Sequence, residues 1–384
     1  MGEAGAEAAV CPMGRRMKWV AISFGALDVA DDDRFPGSDL LVTPALPALP
    51  LAFSANGASV WRRLVAGPVD EEALDASEID IVHEMAEMGL ASSDLEHPHV
   101  QREVREPWLS SPLHELVYAL VSSVARSNGI DLFFFKGPIL HAQGLRDRAH
   151  SGDVDIWVEL HDINALSEAL KPWGWSRRAE TWVNHSVTLF PSEWGCELDL
   201  HHRFPGVSCV SGDTFDELMR RTEHHPFASI DCRVPERSVG AVLSALHIMR
   251  PEPGVTTPPQ FFEDAAQVLA RGGEAAIDAA RALGSAAALE PALRSAFPDA
   301  DLVDLGPIPA NWKWRMKKSK WGAYAAALRS IPPAQLPHLV WRTVWPTDEV
   351  ALATDHAMGG DARTPLQARL NRLKGLLRTA RSAE

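Results

Sequence analysis

Apolar positions recur at helical spacing early in the chain, in AFSANGASVWRRLVAG, where Ala58, Trp61, Leu64 and Val65 share one side. Gly67-Pro68 predicts where that helix stops. SEIDIVHEMAEMGLA predicts a second helix, with Ile81, Val82, Met85 and Met88 mostly on one side and Gly89 as its stop. WVAIS and LLVTP read as short strands flanking the turn-forming DDDRFPGSD. Together these predict a small unit over residues 17–92, whose core would be marginal alone. SSDLEHPHVQREVREPW has neither period, which predicts a linker over residues 93–110.

A different order begins at Ser111, a helix cap, with Pro112 suited to the first turn and Leu116, Leu120, Val121 and Val124 as the apolar stripe. LFFF, DVDIWVEL, SVTLF and CELDLHH predict strands, and KGPILHAQGL and DINALSEALKPWG predict turns and helices between them. That alternation predicts a mixed-sheet core over residues 111–235. From residue 236 to 384 the pattern is mainly helical, as in VGAVLSALHIM, PPQFFEDAAQVLARG and TPLQARLNRLKGLLRTA. The expected class is α+β: a mixed-sheet core, a helical C-terminal region and a small winged-helix-like N-terminal domain.

Composition narrows the function more than the fold. With 46% hydrophobic and 23% charged residues, the chain reads as an ordinary globular protein rather than a disordered one. A formal charge of −14 opposes broad nucleic-acid binding, so no stable nucleic-acid partner is expected. Locally, NWKWRMKKSKW is basic, with Lys313, Arg315, Lys317, Lys318 and Lys320 among tryptophans. Cys11, Cys196, Cys209 and Cys232 are spaced as neither a disulfide scaffold nor a zinc site, which favours a reducing compartment. The sequence shows no membrane-length apolar run and no secretory signal, so a cytoplasmic protein is expected and peripheral membrane contact is not.

The chemistry concentrates in two strands. Strand side chains alternate, so Asp153 and Asp155 point together, and so do Glu197, Asp199 and His201. Paired carboxylates without a cation raise one another's pKa, whereas a divalent cation reverses the sign. If the strands are neighbours, Asp153, Asp155 and Asp199 form an oxygen-rich site suited to Mg2+ or Mn2+ and a nucleoside triphosphate. The plainer alternative is a pair of solvated acids. Lys136 and Gly137, at a strand-to-helix turn, are candidate phosphate contacts, and Arg146 and Arg148 could neutralise a triphosphate. Ser151 and His201 complete the nucleotide-contacting set, His201 as an orienting or substrate-contacting group. Asn184 and His185 are weaker candidates, and His247 reads as a packed histidine. The chain has no Walker A loop, dinucleotide fingerprint or nucleophile elbow.

LFFFKGPILHAQGLRDRAHSGDVDIWVEL followed by CELDLHHRF resembles the nucleotidyltransferase superfamily, and within it a bacterial group of uncharacterised nucleotidyltransferases. The resemblance is carried by Lys136-Gly137, Arg146 or Arg148, Asp153-Val154-Asp155-Ile156 and Asp199-Leu200-His201-His202-Arg203. It implies a two-metal core in which Asp153 and Asp155 bind magnesium and the triphosphate, while Asp199 binds the catalytic metal and helps activate an acceptor hydroxyl. The superfamily's glycine-serine turn is Gly137-Pro138 here, and Pro138 has no N–H to donate.

The earlier segment LPLAFSANGASVWRRLVAGPVDEEAL with IVHEMAEMGL resembles a PqqD-like domain through Asn56, Gly57, Ala58, Val60, Trp61, Gly67, Pro68, Gly89 and Leu90. That implies a leader or modified peptide as partner, paired to an edge strand. The combined expectation is a magnesium-dependent nucleotidyl or phosphoryl transfer to an acceptor hydroxyl, on a ribosomally made peptide. The alternative is a non-catalytic, leader-peptide-binding adaptor.

Overall fold

The computed structural model describes residues 17–149, 151–177, 186–191, 193–208, 213–329, 337, 341, 345–357 and 359–381. The candidates Asn184 and His185 lie outside the described residues. Contacts divide the chain into two units, one up to residue 123 with 226–230, the other 124–225 with the residues from 231 onward.

The first unit opens with β1 (Lys18–Ala21), β2 (Ala26–Asp28), β3 (Leu40–Val42), β4 (Leu51–Phe53), α1 (Ala55–Ala66), β5 (Val69–Asp70), α2 (Ala76–Glu87) and β6 (Ala91–Ser92). These strands form two antiparallel sheets, ordered β5-β1-β6 and β2-β3-β4. Trp19, Val42, Trp61, Leu64, Val82, Met85 and Leu90 share its core. The Trp61 indole N–H donates to the Leu90 carbonyl at 3.0 Å, so α1 is tied through a buried bond to the segment that follows α2. Helix α2 starts on a capping box. The Glu78 N–H donates to Asp75 Oδ1 at 2.9 Å and the Asp75 N–H donates to Glu78 Oε2 at 3.0 Å.

The stretch expected as a linker is laid against these strands, through bridges Ile22↔Val100 and Leu27↔Arg105. Single backbone bridges need no side-chain period, so periodicity does not reveal them. After it comes α3 (Pro112–Ser127), whose buried Glu115 satisfies three backbone donors: Trp108 and Leu109 at Oε2 (3.0 and 3.1 Å) and Ala228 at Oε1 (3.0 Å). Burial pushes the Glu115 carboxyl up, and those three N–H groups pull against it.

The second unit is built on β7 (Leu132–Phe134), α4 (Gly137–Ala142), β8 (Asp153–Val158), α5 (Ile163–Leu170), β9 (Trp175–Arg177), β10 (Ser186–Pro191) and β11 (Glu197–His201). The five strands are ordered β7-β8-β11-β10-β9, with β8 and β11 parallel and the other neighbours antiparallel. Next come α6 (Asp213–Arg220) and the hairpin β12 (Thr222–Phe227) and β13 (Ile230–Pro235). Helices α7 (Arg237–Met249), α8 (Pro259–Gly272), α9 (Ala275–Ala282) and α10 (Ala286–Ala296) follow, then α11 (Ala310–Lys313), α12 (Lys320–Arg329), α13 (Asp348–Ala357) and α14 (Pro365–Arg381).

The class is α+β with a mixed sheet, as the alternation of periods predicts. Phe133, Trp157 and Phe204 join Val242, Leu246, Leu269 and Leu289 in one core, which joins one face of the sheet to α7, α8 and α10. Among the described residues no helix is long and apolar enough to cross a membrane.

Candidate active site

Parallel pairing decides the geometry. The register is Glu197↔Asp153, Asp199↔Asp155 and His201↔Trp157, so the acids of β8 and β11 stand side by side on one face of the sheet. Strands predicted from separate stretches of sequence are thus neighbours. Asp155 is buried, Asp199 half-buried and His201 buried, and one ligand atom from each lies within 4.8 Å of the other two.

Asp155 is the most constrained of them. Lys136 Nζ donates to its Oδ1 at 2.6 Å, and His201 Nε2 contacts the same oxygen at 2.8 Å. Burial alone would raise the Asp155 carboxyl, but the His201 hydrogen bond and the Lys136 charge overrule it and hold the pKa down to about 2. Asp155 is therefore an acceptor, and the 2.8 Å contact requires the proton on His201 Nε2. Burial drives the His201 pKa down, against the pull of Asp155, which leaves a neutral imidazole orienting a carboxylate.

Lys136 reaches this position from a strained backbone. Its φ is +65° and its ψ −159°, a region that residues with a Cβ rarely adopt, and Gly137 follows at φ +51°. The ammonium lies 4.9 Å from the Phe135 ring centroid and 5.4 Å from that of Phe204, and the His201 ring packs edge-on to Phe135 at 5.0 Å. This aromatic wall displaces water, so the charges behind it interact more strongly than at an open surface.

Asp199 accepts a hydrogen bond from Thr188 Oγ1 at 2.6 Å, Thr188 being its register partner on β10. Asp153, half-buried, accepts from Ser151 Oγ at 2.8 Å instead of joining the group of three. Among the described residues, the set close enough to share one ion is Asp155, Asp199 and His201. Two carboxylates and an imidazole suit a divalent cation.

Arg146 is half-buried and Arg148 exposed, both in the loop between α4 and β8, where Arg271 pairs with Asp147 at 3.1 Å. Thr188, Phe135 and Phe204 complete the surroundings and are not singled out by the motifs. The alternation in SVTLF was the available signal for Thr188. Beside the starts of β8 and β11 a cleft of about 720 Å³ opens, lined by Asp153, Glu193, Glu197, Phe190 and Cys196 among others. Burial, and then the Asp153 charge, push the Cys196 thiol up to about 12, so it is inert at neutral pH.

Residues 111–296 match the model of a family described as uncharacterised nucleotidyltransferase. That match spans just under half of the chain and contains Asp155, Asp199 and His201.

No curated protein matches the chain. Solved structures similar to this chain include the antibiotic-resistance factor ANT(2'')-Ia, at 14% identity and TM-score 0.30, over 49% of this chain and 91% of that one. Another is the Megavirus polyadenylate synthase, at 12% identity and TM-score 0.28, over 43% of this chain and 32% of that one. A third is the Bacillus stearothermophilus CCA-adding enzyme in complex with CTP, at 16% identity and TM-score 0.22, over 69% of this chain and 82% of that one.

Proposed function

We propose that the second unit transfers a nucleotidyl group from a nucleoside triphosphate to an acceptor hydroxyl. The observation that carries this reading is the pairing of Asp155 with Asp199 across parallel strands, with His201 beside them. In the proposed step the acceptor oxygen attacks the α-phosphorus, the bond to the β-phosphate oxygen breaks, and pyrophosphate leaves. Asp199, held by Thr188, receives the acceptor proton.

Asp155, Asp199 and His201 would hold Mg2+, or Mn2+ by the same donor chemistry, with Asp153 as a further carboxylate at the start of the strand. When bound, the ion supplies neutralisation of the polyphosphate charge. Lys136, Gly137, Arg146, Arg148 and Ser151 are assigned to the nucleotide. Lys136 keeps Asp155 ionised and, by turning from it, can offer its ammonium to phosphate.

The first unit is assigned to peptide recognition, which makes a ribosomally made peptide the proposed acceptor. Its PqqD-like motif, centred on Trp61, supports this reading, and pairing of a peptide to an edge strand is the proposed mode. The test incubates the full chain with labelled ATP, GTP, CTP or UTP, magnesium and candidate peptides. Transfer that disappears in Asp199→Asn is the expected result. Peptide binding without magnesium-dependent nucleotide affinity would leave a non-catalytic adaptor instead.

A further inference from the structure

The last helix has two apolar sides, and only one of them is covered. On α14, Ala368 is buried with Ala351 of α13 and Ala362, and Leu352 packs beside them. Asn371 Nδ2 donates to Asp355 Oδ1 at 3.1 Å, which fastens the same side to α13. Leu366, Leu370 and Leu373 recur at helical spacing on the side away from Ala368. Leu366 is 54% exposed, Leu370 is 47% exposed and Leu373 is half-buried. A leucine stripe normally turns toward a core, and this one turns toward solvent.

An aromatic pair stands along the border of the stripe. Arg369, next to Leu370, donates to Asp348 Oδ1 at 2.6 Å and to the Pro346 carbonyl from Nε at 2.9 Å and Nη2 at 2.7 Å. Its guanidinium lies 5.0 Å from the Trp345 ring centroid. Trp345 in turn stacks on Trp341, with centroids 6.3 Å apart and planes at 26°. These contacts fasten the tryptophan segment to α14, and Trp341 is 61% exposed.

Charge says what covers this surface. From Thr364 to Ala383 the sequence holds no acid, whereas Arg369, Arg372, Lys374, Arg378 and Arg381 are basic. The acids of α13 that meet α14, Asp348 and Asp355, do so through Arg369 and Asn371 rather than through the leucines. Lys374 is exposed. Leucines flanked by cations, with a tryptophan alongside, suit a helix lying in the plane of a bilayer surface. The acyl boundary takes the leucines, the indole sits at headgroup level, and the cations meet lipid phosphate. A protein partner fits worse, because a standard interface covers roughly 800 Å2 on each side and a single row of leucines with one ring is a narrow strip.

We propose that α14, together with Trp341, docks the protein on the surface of an anionic lipid bilayer. The sequence expectation of no peripheral membrane contact came from the lack of a long apolar run, and the exposure of a short stripe is a property of the fold. The docking surface is independent of the transfer reading and lies outside its residues.

The test mixes the full chain with vesicles of phosphatidylcholine alone and of phosphatidylcholine and phosphatidylglycerol in equal parts, and measures the bound fraction by sedimentation. Binding to the anionic vesicles, weakened by added salt, is expected, with little binding to the neutral ones. Leu366→Gln with Leu370→Gln should weaken anionic binding at least about tenfold at an unchanged melting temperature. Lys374→Glu, a single exposed change, should weaken it at least about fivefold and keeps the test available if the double variant fails to fold. Leu160→Gln, at a similarly exposed leucine after β8, should leave it within about twofold. Nucleotide transfer in solution should be unchanged in all four variants, so failure of the docking surface and failure of the transfer reading give different results. A parent chain that binds neither vesicle, or variants that bind as the parent chain does, overturns the proposal. Self-association of the parent chain that the leucine variant abolishes, without vesicle binding, also overturns it and assigns the stripe to a second copy.

Discussion

Asp155 and Asp199 are register partners on adjacent parallel strands, and each carboxylate is held by a different neighbour, Asp155 by Lys136 and His201 and Asp199 by Thr188. This division separates their roles. Asp155 is locked from two sides, while Asp199 is half-buried and held by the Thr188 hydroxyl. Asp199→Asn should therefore leave the fold intact and lower transfer by at least about 100-fold, the scale of a removed general base. Label transfer from the preferred triphosphate, beside an unchanged melting curve, checks it. Activity equal to that of the parent chain would sink the assignment.

The pH dependence of stability follows from Asp155. Its folded-state pKa is depressed from the ordinary value of 3.8 to about 2. A depressed carboxylate contributes stability that is fully present above the unfolded pKa and is lost as pH falls through the folded one. The contribution is about 2 kcal/mol and should disappear between about pH 4 and 2. Urea unfolding across that range, for the parent chain and for Lys136→Met, checks it. The variant should show a shallower loss, because one of the two groups that depress the pKa is gone.

Glu115 makes a contrasting case in the first unit. It satisfies three backbone N–H groups from two separate segments, and burial raises its pKa. Glu115→Ala would strand those donors and should cost about 3 kcal/mol. Glu115→Gln, which keeps one acceptor oxygen, should cost less. Chemical denaturation of the three proteins gives the order.

Gly206 sits at φ +90° against Leu246 and Trp312. Gly206→Ala adds a methyl group where there is no room, in a conformation that resists it, and should destabilise by about 2 kcal/mol or more. Thermal melting of the variant beside the parent chain checks it.

Much of the sheet was legible because its strands carry period-two alternation in apolar surroundings. DVDIWV and ELDLH are such cases, and their shared face is visible before any pairing is known. Their adjacency is not legible, because register is a long-range property. The sequence reading carried it as a condition, and the parallel pairing meets it. The hairpin of TEHHPF and IDCRVP was hidden, since two histidines and a proline interrupt the alternation in its first strand, most of which is only partly buried or exposed. His201 was legible as an orienting group. Its place among the three potential ligands, with Asp153 turned to Ser151, depends on side-chain packing that no spacing rule encodes.

Position 136 has a consequence for anyone redesigning this chain. A backbone at φ +65° and ψ −159° is comfortable only for glycine, so a search that rewards local geometry would replace the lysine. The replacement would strip Asp155 of its Lys136 partner, leaving the His201 contact, and would take a cation from the proposed nucleotide site. Optimising for ruggedness and optimising for turnover thus pull in opposite directions at a single residue.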